Sequence, residues 1–199
     1  MKNMDPKYLI KLTVTLFLTC VVVAGMLGAV NMVTKDKIAA INLEKTQTAM
    51  KAVVADPDNS TFSDALALSD DMTAAALAGG GTLTEAYEVL VGGAPAGHAL
   101  KIVASGSQGN IEMMVGLDAE GAVTGVSIVK HSETAGIGSK VMENEPNTKG
   151  VGVLDQFVGK NTADLSVGSS VDAITGATVS TKGVTTGVNA AIAVAGVLG

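Results

Sequence analysis

Residues 85–130 read EAYEVLVGGAPAGHALKIVASGSQGNIEMMVGLDAEGAVTGVSIVK, and the fold class is predicted from this segment. It contains four runs rich in Val, Ile and Leu that predict strands: Glu85–Val91, His98–Ala104, Ile111–Leu117 and Val123–Lys130. Short turns containing glycine separate the runs, as in β-hairpins. Four strands joined in this way predict an antiparallel sheet with at least one face covered by helices, and therefore an α+β domain.

Helical patterns flank the predicted sheet on both sides in the sequence. We expect short helices within Phe62–Ala78, Ile137–Asn144 and Gly152–Gly159. A longer final helix is predicted to run to about Val197, with Ser180 or Thr181 as its N-terminal cap. One face of that helix is apolar and is made by Val184, Val188, Ala191, Ile192 and Ala195.

The run at residues 12–33 carries no charged residue and lies between Lys11 and Lys35. At 1.5 Å per residue it extends about 33 Å as a helix, enough for the roughly 30 Å hydrocarbon core of a bilayer. A cleaved signal peptide has a shorter apolar region, and Cys20 lacks the small preceding residue typical of a lipoprotein. We therefore expect a tail at 1–11, a single transmembrane helix at 12–33, a helical connector at 34–60 and a domain at 61–199.

The composition excludes several classes of function. The chain has thirteen Lys, no Arg and a net charge of −6, so a nucleic-acid partner is not expected. With two His and one Cys that do not cluster, no metal site is expected either. Aromatic residues make up 3% of the chain, so a ring-shaped ligand would rest mostly on aliphatic side chains.

Two loops contain the side chains best suited to chemistry or to binding a ligand. The first is His131-Ser132-Glu133-Thr134-Ala135-Gly136-Ile137-Gly138, directly after the last predicted strand. The second is Asp172-Ala173-Ile174-Thr175-Gly176-Ala177-Thr178, followed by Val179, Ser180 and Thr181. From composition alone, the first is a polar turn with a surface histidine and the second is a turn with a helix cap.

Both loops resemble motifs of one family. The second matches D-x-x-[ST]-G-A-T, the covalent flavinylation motif of FMN-binding domains, and the first is similar to the H-x-E-T-P-G-L-G loop of the same domains. This chain has Ala135 where the family usually has Pro, and Ile137 where it has Leu. The N-terminal anchor followed by VNMVTK at residues 30–35 resembles the G subunit of the Rnf electron-transport complex. The C subunit of the sodium-pumping NADH:quinone reductase is similar but usually longer.

The resemblance implies a phosphoester between the hydroxyl of Thr178 and FMN, formed by a separate flavin transferase that uses FAD. The resemblance also assigns supporting roles to the other residues of the two loops. Thr175, Gly176 and Ala177 keep the attachment loop small and accessible, and Asp172 supports the loop or is recognised by the transferase. Ser180 and Thr181 would hold the phosphate together with the amides at the helix start. Glu133 and Thr134 would contact the flavin, with His131 orienting their loop.

The implied function is electron transfer rather than turnover of a substrate by this chain alone, so no catalytic residue is expected. The partners would be other subunits of a membrane oxidoreductase complex that moves ions. Two alternatives stay open on the sequence: an anchored extracytoplasmic binding or structural module without flavin, and the quinone-reductase C subunit.

The number of lysines is nearly the same on the two sides of residues 12–33, so their charge does not decide the orientation in the membrane. A cytoplasmic N-terminus with the domain outside is expected from the short tail and the resemblance.

Overall fold

A computed structural model describes residues 6–198 of the chain. The chain divides into two compact units, one ending at Glu44 and the other beginning at Lys45. The described part of the first unit, residues 6–44, lies in the helix α1, which runs over Pro6–Ala52 and ends within the second unit. The helical conformation expected for residues 12–33 and for most of the connector is confirmed, although the helix ends at Ala52 and does not reach residue 60.

The most apolar part of α1 has a mean hydropathy of 2.2, and none of it is buried. The C-terminal helix α4 (Thr178–Leu198) is also long and apolar enough to span a bilayer, but 56% of its most apolar part is buried. Burial marks α4 as a core helix of the second unit. The exposed side chains of α1 include Leu12, Leu16, Phe17, Leu27 and Val33, and the described chain offers them no apolar cover.

The second unit is built on one antiparallel sheet with the strand order β1-β2-β3-β4-β5. The strands are β1 (Ser60–Phe62), β2 (Thr82–Val91), β3 (Ala94–Ser105), β4 (Asn110–Asp118) and β5 (Val123–Lys130). The four predicted strands and their order are confirmed. The short edge strand β1 was not predicted, because three residues are too few to show a periodic pattern.

Two helices cover one face of the sheet. α2 (Asp70–Ala78) is capped by the Ser69 side chain, which accepts a hydrogen bond from the amide of Met72. It ends at Gly79, where a Cβ would lie only 2.5 Å from the Cα of Ala190 in α4. Glycine at this position therefore lets the end of α2 approach α4 closely. The core between these helices and the sheet contains Leu100, Ile102, Ile111, Met113, Val184 and Val188, each fully buried.

The last turns of α1, after residue 45, and the following Val53 cover the opposite face of the sheet. Gly116 in β4 and Gly125 in β5 are paired directly across the ladder. A Cβ on Gly116 would overlap the carbonyl oxygen of Val53, and one on Gly125 would lie 2.9 Å from the Cα of the same residue. The hydroxyl of Thr124 donates to the same carbonyl. The glycine pair therefore forms a shallow seat for the backbone at Val53.

The segment between β5 and α4 contains a short helix α3 (Ser139–Met142) and a 3₁₀ helix at Leu154–Phe157. Both lie inside the predicted ranges.

The expectation that Ser180 or Thr181 caps the final helix is wrong, because α4 begins at Thr178 and both residues lie in its first turn. The hydroxyl of Thr181 donates to the carbonyl of Ala177 at 3.0 Å, a bond typical of threonine inside a helix.

The glycine seat leads to a stability prediction. We expect Gly116→Ala to destabilise the fold by roughly 1–3 kcal/mol, because the added methyl group must displace the backbone at Val53. The measurement is the urea or thermal unfolding midpoint of the full chain in detergent. Gly196→Ala is the matched control, since a Cβ there meets no atom within 4 Å. Equal midpoints for the two variants would contradict a close contact at Gly116.

Candidate functional site

Three segments that are distant in sequence meet at one end of the sheet. They are the turn between β3 and β4 at residues 106–109, the loop at 131–138 after β5, and the first turn of α4. The side chain of Glu133 lies where they meet and is only 8% exposed. A carboxylate buried to this degree needs hydrogen-bond partners, because an unpaired charge away from water is costly.

Each segment supplies a partner for the Glu133 carboxylate. Its Oε1 accepts hydrogen bonds from the backbone amides of Ser107 at 2.7 Å and Gln108 at 3.2 Å. Its Oε2 accepts a hydrogen bond from the hydroxyl of Ser180. One side chain therefore ties the 106–109 turn and the start of α4 to the loop that follows β5.

Opposing effects act on the ionisation of this carboxyl group. Burial alone would raise the pKa of Glu133, but the hydrogen bonds from Ser180, Gln108 and Ser107, together with the nearby His131, outweigh it. The pKa of Glu133 is therefore lower than its ordinary value, and the group is ionised at neutral pH.

Two glycines make room for this carboxylate. A Cβ on Gly106 would overlap Oε1 of Glu133, and one on Gly138 would lie 2.6 Å from Oε2. Larger residues at either position would push the carboxylate away from its donors. Gly106 and Gly138 therefore leave the space that this contact requires.

The remaining side chains of the first loop differ in accessibility. His131 is half-buried, and its Nδ1 accepts a hydrogen bond from the amide of Glu133 at 3.2 Å. Thr134 is exposed, and its carbonyl accepts bonds from the amides of Ile137 and Ser139. His131 therefore fixes the backbone next to Glu133, while the Thr134 side chain is free to face solvent.

The attachment loop turns sharply just before α4. Gly176 has φ +84°, in the region that favours glycine, and the amide of Ala177 donates to the carbonyl of Ile174 at 2.9 Å. This turn leaves Thr175, Gly176 and Thr178 exposed, with Thr178 as the first residue of the helix. Ala177 is buried beneath them. The hydroxyl of Thr178 is therefore at the surface, beside amides that have no carbonyl partner within the helix.

Asp172 is held at both its backbone and its carboxylate. The side-chain amide of Gln156 accepts from the amide of Asp172 at 2.7 Å and donates to its carbonyl at 3.1 Å. The carboxylate forms an exposed ion pair with Lys149, with Nζ and Oδ2 2.7 Å apart. The main restraint on the loop is the pair of hydrogen bonds to Gln156, because an exposed ion pair contributes little.

The structure thus brings the two motif loops together through Glu133 and Ser180. Ser180 and Thr181 are buried, and their hydroxyls are bonded to Glu133 and to the Ala177 carbonyl. The amides of Ser107 and Gln108 and the side chain of Gln156 are further contacts that the sequence does not predict. Backbone donors leave no residue-type signal, and Gln156 lies in a stretch without a motif.

The chain is similar to known proteins, both within the second unit and over nearly its whole length. Residues 106–193 match the FMN-binding domain family. The chain is 32% identical to the G subunit of the Na⁺-translocating ferredoxin:NAD⁺ oxidoreductase complex of Acetobacterium woodii, covering 96% of this chain and 94% of that protein. It is 29% identical to the G subunit of an ion-translocating oxidoreductase complex of Methanosarcina acetivorans, covering 94% and 95%. The corresponding proton-translocating protein of Clostridium ljungdahlii is 28% identical over 96% of this chain.

The lowered pKa of Glu133 leads to a prediction about stability and pH. Its contribution is complete above the ordinary carboxyl pKa of about 4.3 and is lost as pH falls through the lower native value. Glu133→Gln should therefore be less stable than the wild type at pH 7, by roughly 1–3 kcal/mol. The difference should shrink on acidification below about pH 4.3.

Urea unfolding of both proteins over a series of pH values checks this expectation. The exposed Glu120→Gln is the control for loss of one negative charge. If the free energy of unfolding of Glu133→Gln equals that of the wild type at every pH, the Glu133 carboxylate does not stabilise the site.

Proposed function

Because this chain belongs to the family of G subunits of ion-translocating oxidoreductase complexes, we propose that it is a membrane-anchored flavoprotein subunit that carries electrons through FMN covalently bound to Thr178. The observation that supports the attachment is the position of Thr178. It is exposed at the first residue of α4, directly after the left-handed turn at Gly176, and it lies inside the FMN-binding match.

The attachment chemistry requires a nucleophilic oxygen that an enzyme can reach. In the proposed reaction the hydroxyl of Thr178 attacks the FMN-side phosphorus of FAD, the bond between the two phosphates breaks, and AMP leaves. A flavin transferase supplies the base that takes the hydroxyl proton. The exposed residues Thr175 and Gly176 leave space for that enzyme, and Gln156 holds Asp172 and the loop in place. Bound in this way, FMN supplies the capacity to accept and release electrons.

The first amides of α4 are the phosphate donors in this proposal. Helix N-termini bind anions because their first amides lack partners and the helix dipole is positive there. Ser180 and Thr181 cannot serve equally well, since both are buried and bonded within the protein. We assign Ser180 and Glu133 to holding the start of α4 against the sheet. The exposed Thr134 remains the candidate contact from the first loop.

The partners in this proposal are the other subunits of the complex, the flavin transferase and the membrane. The exposed, apolar part of α1 serves as the anchor. The N-terminus lies in the cytoplasm and the FMN-binding domain lies outside it.

Loss of the Thr178 hydroxyl should abolish covalent flavin. We expect Thr178→Ala, produced in a host with the flavin transferase, to lose all flavin fluorescence from its band after denaturing electrophoresis. Thr178→Ser should retain it, because a hydroxyl is still present, and Thr175→Ala is the control for the neighbouring hydroxyl. The intact mass of each protein gives an independent measure. A fluorescent Thr178→Ala band would move the attachment elsewhere, and a dark wild-type band would favour a module without flavin.

The proposed orientation can be tested by labelling single cysteines in intact cells. In a Cys20→Ser background, Asp164→Cys in the domain should react with a membrane-impermeant maleimide. Tyr8→Cys, near the start of α1, should react only after permeabilisation. Both positions are exposed, so a lack of reaction reports the membrane barrier. The reverse pattern would place the domain in the cytoplasm.

A further inference from the structure

The attachment loop, residues 172–177, is joined to earlier segments of the chain by few hydrogen bonds. Within the described residues, 6–198, these bonds come from Gln156 and Lys149, and all of them reach Asp172. The bond from Lys149 belongs to an exposed ion pair, which contributes little. Gln156 is therefore the main polar restraint on the end of the loop that lies farthest from Thr178.

The side-chain amide of Gln156 matches the backbone of Asp172. Its Oε1 accepts from the amide of Asp172 at 2.7 Å, and its Nε2 donates to the carbonyl of the same residue at 3.1 Å. Such a pair needs one donor and one acceptor side by side. A side-chain amide supplies both, whereas a carboxylate or an aliphatic chain does not.

Gln156 is itself held in a fixed position. It lies in the 3₁₀ helix whose Leu154 and Phe157 are buried in the core. The side chain of Asn144 binds this helix as well, accepting from the amide of Leu154 at 2.8 Å and donating to the carboxylate of Asp155 at 2.8 Å. Asn144 has φ +54°, in the left-handed region that Asn adopts more readily than most other residues. An uncommon backbone conformation is thus kept where it supports the helix that carries Gln156.

A loop that is already held costs less to bind. Ordering a flexible backbone lowers its conformational entropy, and an enzyme that had to order the loop would bind it more weakly. Here Gln156 holds the start of the loop, and the bond between Ser180 and Glu133 holds the helix that follows it. Thr178 therefore lies between two restrained points.

We propose that Gln156 is a positioning residue for flavin transfer, holding the attachment loop in the conformation that the flavin transferase binds before any flavin is attached. The inference rests on the proposed attachment to Thr178 and adds the residue that prepares this chain as a substrate of the transferase. In the transfer itself the Thr178 oxygen gains the FMN phosphoryl group from FAD, its proton passes to the transferase, and AMP leaves. Gln156 touches none of the reacting atoms and acts through the backbone of Asp172.

A transfer assay with purified components tests this role. The full chain is produced in a host without the transferase, purified in detergent and mixed with the transferase and FAD, and covalent flavin is followed over time. Gln156→Met keeps the length of the side chain and removes both bonds to Asp172. We expect it to raise the KM of the transferase for this chain roughly tenfold at unchanged kcat, because only the fraction of loops in the right conformation binds, whereas a bound loop reacts normally.

Gln47→Met is the matched control, because Gln47 is exposed on α1, and its KM should equal that of the wild type. Equal KM values for Gln156→Met and Gln47→Met would overturn the role of Gln156. A lower kcat at unchanged KM would also overturn it, because the loop would then bind normally without the two hydrogen bonds.

Hydrogen exchange on the wild-type chain without flavin gives a second test that needs no variant to fold. After correction for intrinsic rates, the amide of Asp172 should exchange roughly tenfold or more slowly than that of the exposed Thr175, because Gln156 accepts its hydrogen bond. Equal protection of the two amides would show that the loop is not held and would overturn the proposal.

The wild-type chain separates this inference from the proposed function. A wild-type chain that gains no covalent flavin from the transferase and FAD would overturn the proposed function itself. A wild-type chain that is loaded on Thr178, together with a Gln156→Met variant loaded at the same KM, would overturn only the role of Gln156.

Discussion

The buried carboxylate of Glu133 holds together the parts of this domain that matter for its site. It accepts hydrogen bonds from the 106–109 turn and from Ser180 in the first turn of α4. Because the attachment loop runs directly into α4, fixing the start of this helix also fixes where Thr178 reaches the surface. One side chain thus connects the end of the sheet to the position of the proposed cofactor.

This arrangement requires small residues at specific places. Gly106 and Gly138 leave space for the carboxylate, and Gly116 and Gly125 leave space for the end of α1 on the opposite face of the sheet. In both cases glycine serves close approach of one segment to another. The sheet is covered on both faces, by α2 and α4 on one side and by the last turns of α1 on the other.

The proposed covalent attachment suits the chemistry of this chain. With no Arg and few aromatic residues, the domain lacks a bidentate phosphate clamp and offers few large rings for stacking. A short tether gives an effective concentration on the order of mM, so even a pocket with micromolar affinity stays occupied. The proposed covalent flavin therefore needs only an open, weakly binding site, which leaves its ring accessible to electron partners.

The sequence alone predicts the four main strands, their order, the long N-terminal helix and the family. These depend on local patterns: apolar runs between glycine turns, an uncharged stretch, and a D-x-x-[ST]-G-A-T motif. The sequence also predicted Glu133 and Ser180 as site residues, each as a separate contact to a cofactor.

The start of α4 at Thr178 and the short-range bond from the Thr181 hydroxyl to the Ala177 carbonyl became known from the structure. Tertiary packing brings Glu133 and Ser180 into contact and adds the contributions of Ser107, Gln108 and Gln156. These contacts join residues 16 to 47 positions apart, and several use backbone amides that every residue type shares. No local pattern encodes such pairings, because they arise only when the sheet and α4 pack against each other.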